Sequence, residues 1–203
     1  MLLEPEQRVF QRLREWYVDK EQKSGKTRRE LDVTTCFAPL LRWVVRLMEV
    51  LPTEKRRLAL ALDATSLRNH WTILTVCVLV AGCAIPVAWK VLPAEQEGSW
   101  RPYWEAVLTA LGPSVPADWE VLVLADRGLY ARWLWDCIVA QGWHPFLRLN
   151  LGSKAREVGS EAFEWFSHWV PTPGSSWQGK LECFAGKASR LLATVLMRLP
   201  TRL

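Results

Sequence analysis

Hydrophobic and polar positions alternate along two short stretches of the chain, and each stretch ends in an aspartate. In L58-A-L-A-L-D63, leucine recurs at every second position, which predicts a buried strand. A second apolar run, V121-L-V-L-A125, is followed directly by Asp126. Two neighbouring strands that end in this way can hold two carboxylates at one edge of a sheet. The alternative is that each aspartate begins a turn or caps the helix that follows.

The rest of the pattern predicts strands and helices in a definite order. We expect strands at 58–64, 70–80, 83–91, 120–125 and 144–150, and helices at 100–111 and 129–141. This order, β-β-β-α-β-α-β, predicts a mixed α/β sheet with helices covering it. Upstream, apolar residues at helical spacing predict two helices, at 4–22 and 34–51. They form a helical N-terminal arm over residues 1–57.

One uncharged stretch is long enough to span a bilayer. It runs from Trp71 to Trp89, 19 residues without a charge. Gly82 and Pro86 interrupt it, and valine and threonine are frequent in it. These features favour two buried strands joined by a tight turn at Gly82, so we expect no membrane association.

Length and charge favour a folded domain with a basic N-terminal part. The chain has 203 residues, half of them hydrophobic, which is enough for a full core. The net charge is +5, and residues 1–57 carry 13 Lys/Arg against 9 Asp/Glu. This surplus suits contact with nucleic acid. The basic segment 23–29 is either a phosphate contact or a solvated linker.

The cysteines and the N-terminus indicate a cytoplasmic protein. Five scattered cysteines form no CxxC pair and have no histidine at zinc spacing, which is typical of reduced thiols. The first residues are followed by charge rather than by a signal-peptide pattern. We find no nucleotide-binding loop, Ser-His-Asp arrangement or zinc motif.

Three segments together resemble a known family. L62-D-A-T-S66, V123-L-A-D-R-G-L-Y130 and F146-L-R-L149, in the element order given above, resemble the DDE transposases of bacterial insertion elements, which have the ribonuclease-H-like fold. In that family one aspartate lies on the first strand and another follows the fourth strand in an Asp-Arg-Gly context. The resemblance covers roughly residues 30–200, and residues 58–164 match the catalytic core.

The resemblance implies a site and a substrate. Asp63 and Asp126 correspond to two catalytic acids that bind two divalent metal ions, Mg²⁺ or Mn²⁺. The implied chemistry is cleavage and transfer of DNA strands by in-line displacement at phosphorus. Arg127 and Arg148 are candidate phosphate contacts, and a structural ion pair at a strand end is an equal alternative for each. The implied partners are DNA and, in the full-length form, a second copy in a homodimer.

The third acid of the family has no match here. It is a glutamate on a later helix, after a mostly β insertion. Glu157, Glu161 and Glu164 do not stand in the expected context; Glu161 and Glu164 fit one helix face, and we interpret them as solvated charges. Residues 165–203 resemble the start of the insertion, and 189–199 fit either a helix or a strand. We therefore expect a C-terminally truncated transposase with little or no strand transfer.

Three other interpretations stay open. The chain could be a nuclease of the same fold, with Glu161 or Glu164 completing the site. It could be a DNA-binding remnant without catalysis, whose basic N-terminal arm contacts phosphates. It could also be a soluble α/β domain in which Asp63 and Asp126 are turn residues.

Overall fold

Five strands form the central sheet of the protein. The structure is a computed structural model, and it describes residues 32–50, 56–150, 152–184 and 191–198. The strands are β1 (Arg57–Leu67), β2 (Trp71–Val80), β3 (Cys83–Pro93), β4 (Glu120–Ala125) and β5 (His144–Leu147). They lie in the order β3-β2-β1-β4-β5; β1 is antiparallel to β2 and parallel to β4, which is parallel to β5.

Three helices cover one face of this sheet. They are α1 (Phe37–Val50), α2 (Arg101–Leu111) and α3 (Arg132–Ala140). Each sends an apolar stripe into the core, where the buried leucines of β1 meet side chains such as Leu41, Trp104 and Ile138. Together with the strands they give the order β-β-β-α-β-α-β. This confirms the predicted fold class, a ribonuclease-H-like mixed α/β sheet.

The uncharged stretch forms a hairpin, as expected. β2 and β3 are joined by a turn in which Ala81 and Gly82 both have positive φ, +49° and +79°. Two consecutive positive φ values define the type I′ turn, whose twist matches that of antiparallel strands. Among the described residues, none lies in a helix long and apolar enough to cross a membrane.

A second, smaller sheet follows the first. Its strands are β6 (Lys154–Glu157), β7 (Glu164–Trp165), β8 (Ser176–Cys183) and β9 (Leu191–Arg198), in the order β7-β6-β8-β9 with antiparallel pairing throughout. Within the segment 189–199, which fitted either a helix or a strand, the described residues 191–198 form a strand. The sheet begins before residue 165, where we expected the insertion to start. Glu161 and Glu164 do not share a helix, because Glu164 lies on β7, and both side chains are exposed, as expected for solvated charges.

The two sheets have separate cores that meet through a few side chains. The second core is built on Phe166 and Leu181, both fully buried. Tyr130, Trp135 and Leu149, from the part of the chain around β4 and β5, pack against it. The predicted helix at 4–22 and the basic segment 23–29 lie outside the described residues. The helix predicted over 34–51 is confirmed by α1, which packs on the core of the first sheet.

Candidate functional site

Asp63 lies on β1, on the face of the sheet that the described helices leave uncovered. Alternation along the strand buries Leu58, Leu60 and Leu62 beneath the helices, so Asp63 points to the opposite side and is exposed. Two residues further along the strand, Thr65 Oγ1 donates a hydrogen bond of 2.6 Å to Asp63 Oδ2. Thr65 therefore holds one carboxylate oxygen. No described group bonds to the other oxygen.

Asp126 follows β4 at the same edge of the sheet. The last paired residues of the parallel strands β1 and β4 are Leu62 and Ala125. Asp63 and Asp126 each come one residue later, so their backbones are neighbours on strands about 4.8 Å apart. The structure thus brings together the two aspartates that the sequence pattern selected. Both carboxylates are exposed.

Two arginines set the electrostatics of Asp126. The backbone N–H of Arg127 donates to the carboxylate, and Arg148 Nη1 donates to Oδ1 at 3.1 Å. These contacts, the backbone bond first, hold the pKa of Asp126 below its ordinary value, although partial desolvation opposes them. A carboxylate stabilised in this way stays ionised at neutral pH. It is ready to accept a cation.

Arg148 reaches Asp126 because β5 lies next to β4. Its backbone N–H donates to Ala125 O at 2.9 Å, which extends the ladder beyond the last strand residue. Both side chains of the pair are well exposed, 72% for Arg148 and 61% for Asp126. Of the two alternatives for Arg148, the structure therefore shows the ion pair. Arg127 is also exposed, in the turn that follows Asp126.

Asp126 is not an ordinary helix cap. It precedes a short 3₁₀ turn, Arg127–Leu129, yet its side chain makes no N-cap hydrogen bond of the usual kind, to the second or third residue of that turn. The groups that act on the carboxylate are instead the adjacent Arg127 N–H and the Arg148 guanidinium. The turn is closed by the backbone, through Leu129 N–H to Asp126 O at 2.8 Å. The turn-residue interpretation explains the backbone of Asp126, and the ion pair with Arg148 occupies its Oδ1 atom.

No third acid joins the pair within the described residues. In the part of the chain that the structure describes, no three His, Cys, Asp or Glu side chains come close enough to hold a metal ion. Glu164 lies on β7 at the edge of the second sheet, and Glu182 is paired with Arg156. Among the described residues, neither Glu161 nor Glu164 forms such a group with Asp63 and Asp126.

Two further side chains near the aspartates were not predicted. Thr65 could have been found from the sequence, because residues two apart on a strand share a face. Cys77 lies on β2, paired with Ala61, and so on the same face as Asp63. Burial, and then the charge of Asp63, raise the pKa of the Cys77 thiol. Cys77 is therefore a neutral neighbour of the pair, and its side chain is half-buried.

The donor set fits a hard divalent cation. Two exposed carboxylates, Asp63 within β1 and Asp126 directly after the neighbouring β4, offer oxygen ligands, which Mg²⁺ and Mn²⁺ prefer. Magnesium is usually held by one or two carboxylates, and water and substrate oxygens complete its coordination. Asp63 and Asp126 are the residues that would hold it.

Comparison with solved structures finds transposase catalytic domains. The catalytic domain of Mos1 mariner transposase has 12% identity and a TM-score of 0.32, covering 58% of this chain and 62% of that one. The same domain with Raltegravir and Mg gives 12% and 0.32, covering 58% and 63%. The Mos1 strand transfer complex gives 14% and 0.31, covering 68% and 48%. The chain spans less than two thirds of the length of these chains. No protein-family model and no curated protein matches it.

Proposed function

We propose that this chain carries two of the acids of a metal-dependent DNA strand-transfer site, in a transposase of the bacterial insertion-element type. The observation that carries the proposal is the placement of Asp63 and Asp126 one residue beyond the paired Leu62 and Ala125 on adjacent parallel strands. The Asp-Arg-Gly segment after β4 and the confirmed element order support it. Each feature was expected from the sequence resemblance.

The side chains at the site divide the work. Asp63 and Asp126 provide the cation ligands, and Thr65 fixes the orientation of the Asp63 carboxylate. Bound Mg²⁺ supplies charge stabilisation at the scissile phosphate and lowers the pKa of the attacking water or 3′-hydroxyl. Arg127 and Arg148 contact the phosphates of the DNA, because a guanidinium binds two phosphate oxygens at once.

Arg148 has a second task in this proposal. Without a cation, its guanidinium partly neutralises Asp126. If Asp63 and Asp126 held a cation, Asp126 would no longer need this neutralisation, and Arg148 would be free to contact the DNA backbone. An exposed ion pair contributes only about 0–1 kcal/mol, so the exchange costs little.

The site is expected to be weak in this chain alone. Two carboxylates bind and position a cation less firmly than three, and the described residues offer no third. We therefore expect little or no strand transfer by this chain. Its proposed partners are element-end and target DNA and, in the active assembly, a second copy of the protein.

The affinity of the chain for Mn²⁺ tests the proposed metal site. Mn²⁺ binding is measured by electron paramagnetic resonance and compared among the wild-type chain, Asp63→Asn, Asp126→Asn and the matched controls Glu161→Gln and Glu164→Gln. We expect each aspartate variant to weaken binding roughly tenfold, because each removes one of two charged ligands. The glutamate variants should bind as the wild type does. Equal affinity in all five proteins would refute the site.

A DNA-binding remnant without catalysis is the second candidate, and the missing third carboxylate favours it. It predicts affinity for duplex DNA that falls steeply with salt and does not depend on Mg²⁺. The primary proposal instead predicts that Mg²⁺ strengthens binding and that Asp63→Asn removes this effect. Mg²⁺-dependent joining of DNA ends by the chain, abolished by Asp63→Ala, would show that a third acid is not needed.

A further inference from the structure

Tyr130 ends the turn that carries Asp126. After β4, the segment 126–130 is closed by two backbone bonds, Leu129 N–H to Asp126 O at 2.8 Å and Tyr130 N–H to Arg127 O at 3.2 Å. The turn is a single turn of 3₁₀ helix, a geometry with weak hydrogen bonds. It lies at the surface, with Asp126, Arg127 and Gly128 exposed. Its own bonds are therefore too few to hold Asp126 rigidly.

The ring of Tyr130 packs into the core of the second sheet. It stacks on Phe184, with ring centroids 4.7 Å apart and planes 18° apart. It also meets the edge of Phe166, at 6.2 Å and 75°. Phe166 is fully buried, and Phe184 directly follows β8. The last residue of the Asp126 turn is thus fastened to a different sheet from the one that holds Asp63.

The hydroxyl of Tyr130 does not explain this position. It is buried, and its polar neighbour is the Cys183 thiol, a weak hydrogen-bond partner. Burial raises the pKa of the phenol, so the hydroxyl stays neutral. Stacking, rather than hydrogen bonding, therefore fixes the ring.

We infer that Tyr130 is a positioning residue, through which the second sheet holds the Asp126 turn beside Asp63. The inference rests on the proposed function only in taking Asp126 as a cation ligand. It gives the second sheet a role in the site although none of its carboxylates reaches the aspartate pair. Loss of the stack frees the turn, and Asp126 leaves its register with Asp63.

Amide hydrogen exchange in the metal-free protein tests this directly. We expect Tyr130→Ala to speed exchange of the Leu129 amide roughly tenfold, as local opening of the turn becomes easier. Phe184→Ala should do the same from the second sheet. Tyr130→Phe keeps the ring and should preserve protection. Trp165→Ala is the matched control: it removes an aromatic side chain of the second sheet that stacks with Lys154 instead.

The core strand provides the internal reference. The Leu60 amide on β1 should keep its protection in every variant, which separates a loosened turn from a damaged fold. If Tyr130→Ala disrupts the second sheet as a whole, Tyr130→Leu retains the apolar bulk without the stack, and it should still speed Leu129 exchange several-fold. Unchanged Leu129 exchange in Tyr130→Leu and Phe184→Ala would overturn the inference.

Mn²⁺ affinity gives the second readout. Tyr130→Ala and Phe184→Ala should weaken Mn²⁺ binding roughly tenfold, because the Asp126 carboxylate is then no longer held in place. Tyr130→Phe and Trp165→Ala should leave the affinity unchanged. If the wild-type chain binds no Mn²⁺, the proposed function fails, and the exchange experiment still decides whether Tyr130 holds the turn. If Mn²⁺ binds but is insensitive to Tyr130, only the positioning role fails.

Discussion

Arg148 Nη1 donates to Asp126 Oδ1 at 3.1 Å, across the edge where β5 lies beside β4. The bond joins a residue expected to contact phosphate with a residue expected to bind a cation. Under the proposed function, these two oppositely charged groups neutralise each other as long as neither a cation nor a phosphate is bound. The pair is exposed, so salt screens it.

Removing Arg148 should raise the pKa of Asp126 only part of the way to its ordinary value. The backbone N–H of Arg127 is the largest cause of the lowered pKa, and it remains in Arg148→Ala. The carboxyl titration is measured by NMR at low and at high salt. Arg132→Ala, which breaks the Arg132–Asp136 pair on α3, is the matched control and should leave Asp126 unchanged. Full return to the ordinary value would contradict the assignment to Arg127.

The same contacts predict a pH dependence of stability. Because the pKa of Asp126 is lower in the folded than in the unfolded protein, its contacts stabilise the fold above the ordinary pKa. This contribution is lost as the pH falls through the lowered pKa. In Asp126→Asn, the free energy of unfolding, measured by urea denaturation, should therefore decrease less as the pH is lowered than it does in the wild type. If the free energy of unfolding of the variant falls with decreasing pH as steeply as that of the wild type, the Asp126 carboxylate does not contribute to stability.

Glycine is required at position 82 but not at position 128. Gly82 has φ of +79° with open space around it, so Gly82→Ala should cost about 1–2 kcal/mol through backbone strain alone. Gly128 has no positive φ and also has open space, so Gly128→Ala should change stability by less than about 1 kcal/mol. Denaturation midpoints compare the two. If Gly128→Ala abolishes DNA binding but leaves the stability unchanged, close approach of the DNA backbone is the reason for a glycine at position 128.

The core under the first aspartate is sensitive to cavities. Leu60 is fully buried two residues before Leu62, and Leu60→Ala should cost about 2–5 kcal/mol. Leu67, on the same strand, is 48% exposed, and Leu67→Ala is the matched control, within about 1 kcal/mol of the wild type. Urea denaturation measures both. A small loss for Leu60→Ala would mean that the helical layer collapses onto the gap.

The first sheet was predictable because its signals are local. Each pattern predicts the element in which it lies. These patterns are the alternating leucines in 58–62, the apolar run after Glu120 and the glycine at position 82. The proximity of Asp63 and Asp126 followed from the element order, which places β4 beside β1 as a parallel neighbour. β1 itself continues beyond Asp63, to Leu67. Thr65 is predictable from the same spacing, because residues two apart on a strand share a face.

The second sheet was less predictable, for two physical reasons. β6 reads Lys-Ala-Arg-Glu and β7 only Glu-Trp, so neither shows apolar alternation. Their pairing is long-range, and Arg156 is buried only because Glu182 lies opposite it. The pairing of Arg148 with Asp126 is likewise a contact between residues that are 22 positions apart in the sequence. Sequence patterns do not record such choices.

The Arg156–Glu182 pair gives the sharpest test of the second sheet. Arg156 Nε donates to Glu182 Oε2 at 2.7 Å, with side chains only 10% and 18% exposed, and the ring of Phe163 covers the guanidinium. Glu182→Leu leaves a buried charge and should cost about 3–5 kcal/mol. Adding Arg156→Met should recover much of this loss, because the double variant has no charge to desolvate. Unfolding of the second sheet is followed by hydrogen exchange of the Leu181 amide. If the double variant is as unstable as Glu182→Leu, the two side chains stabilise the sheet through their packing rather than through neutralisation of the Arg156 charge.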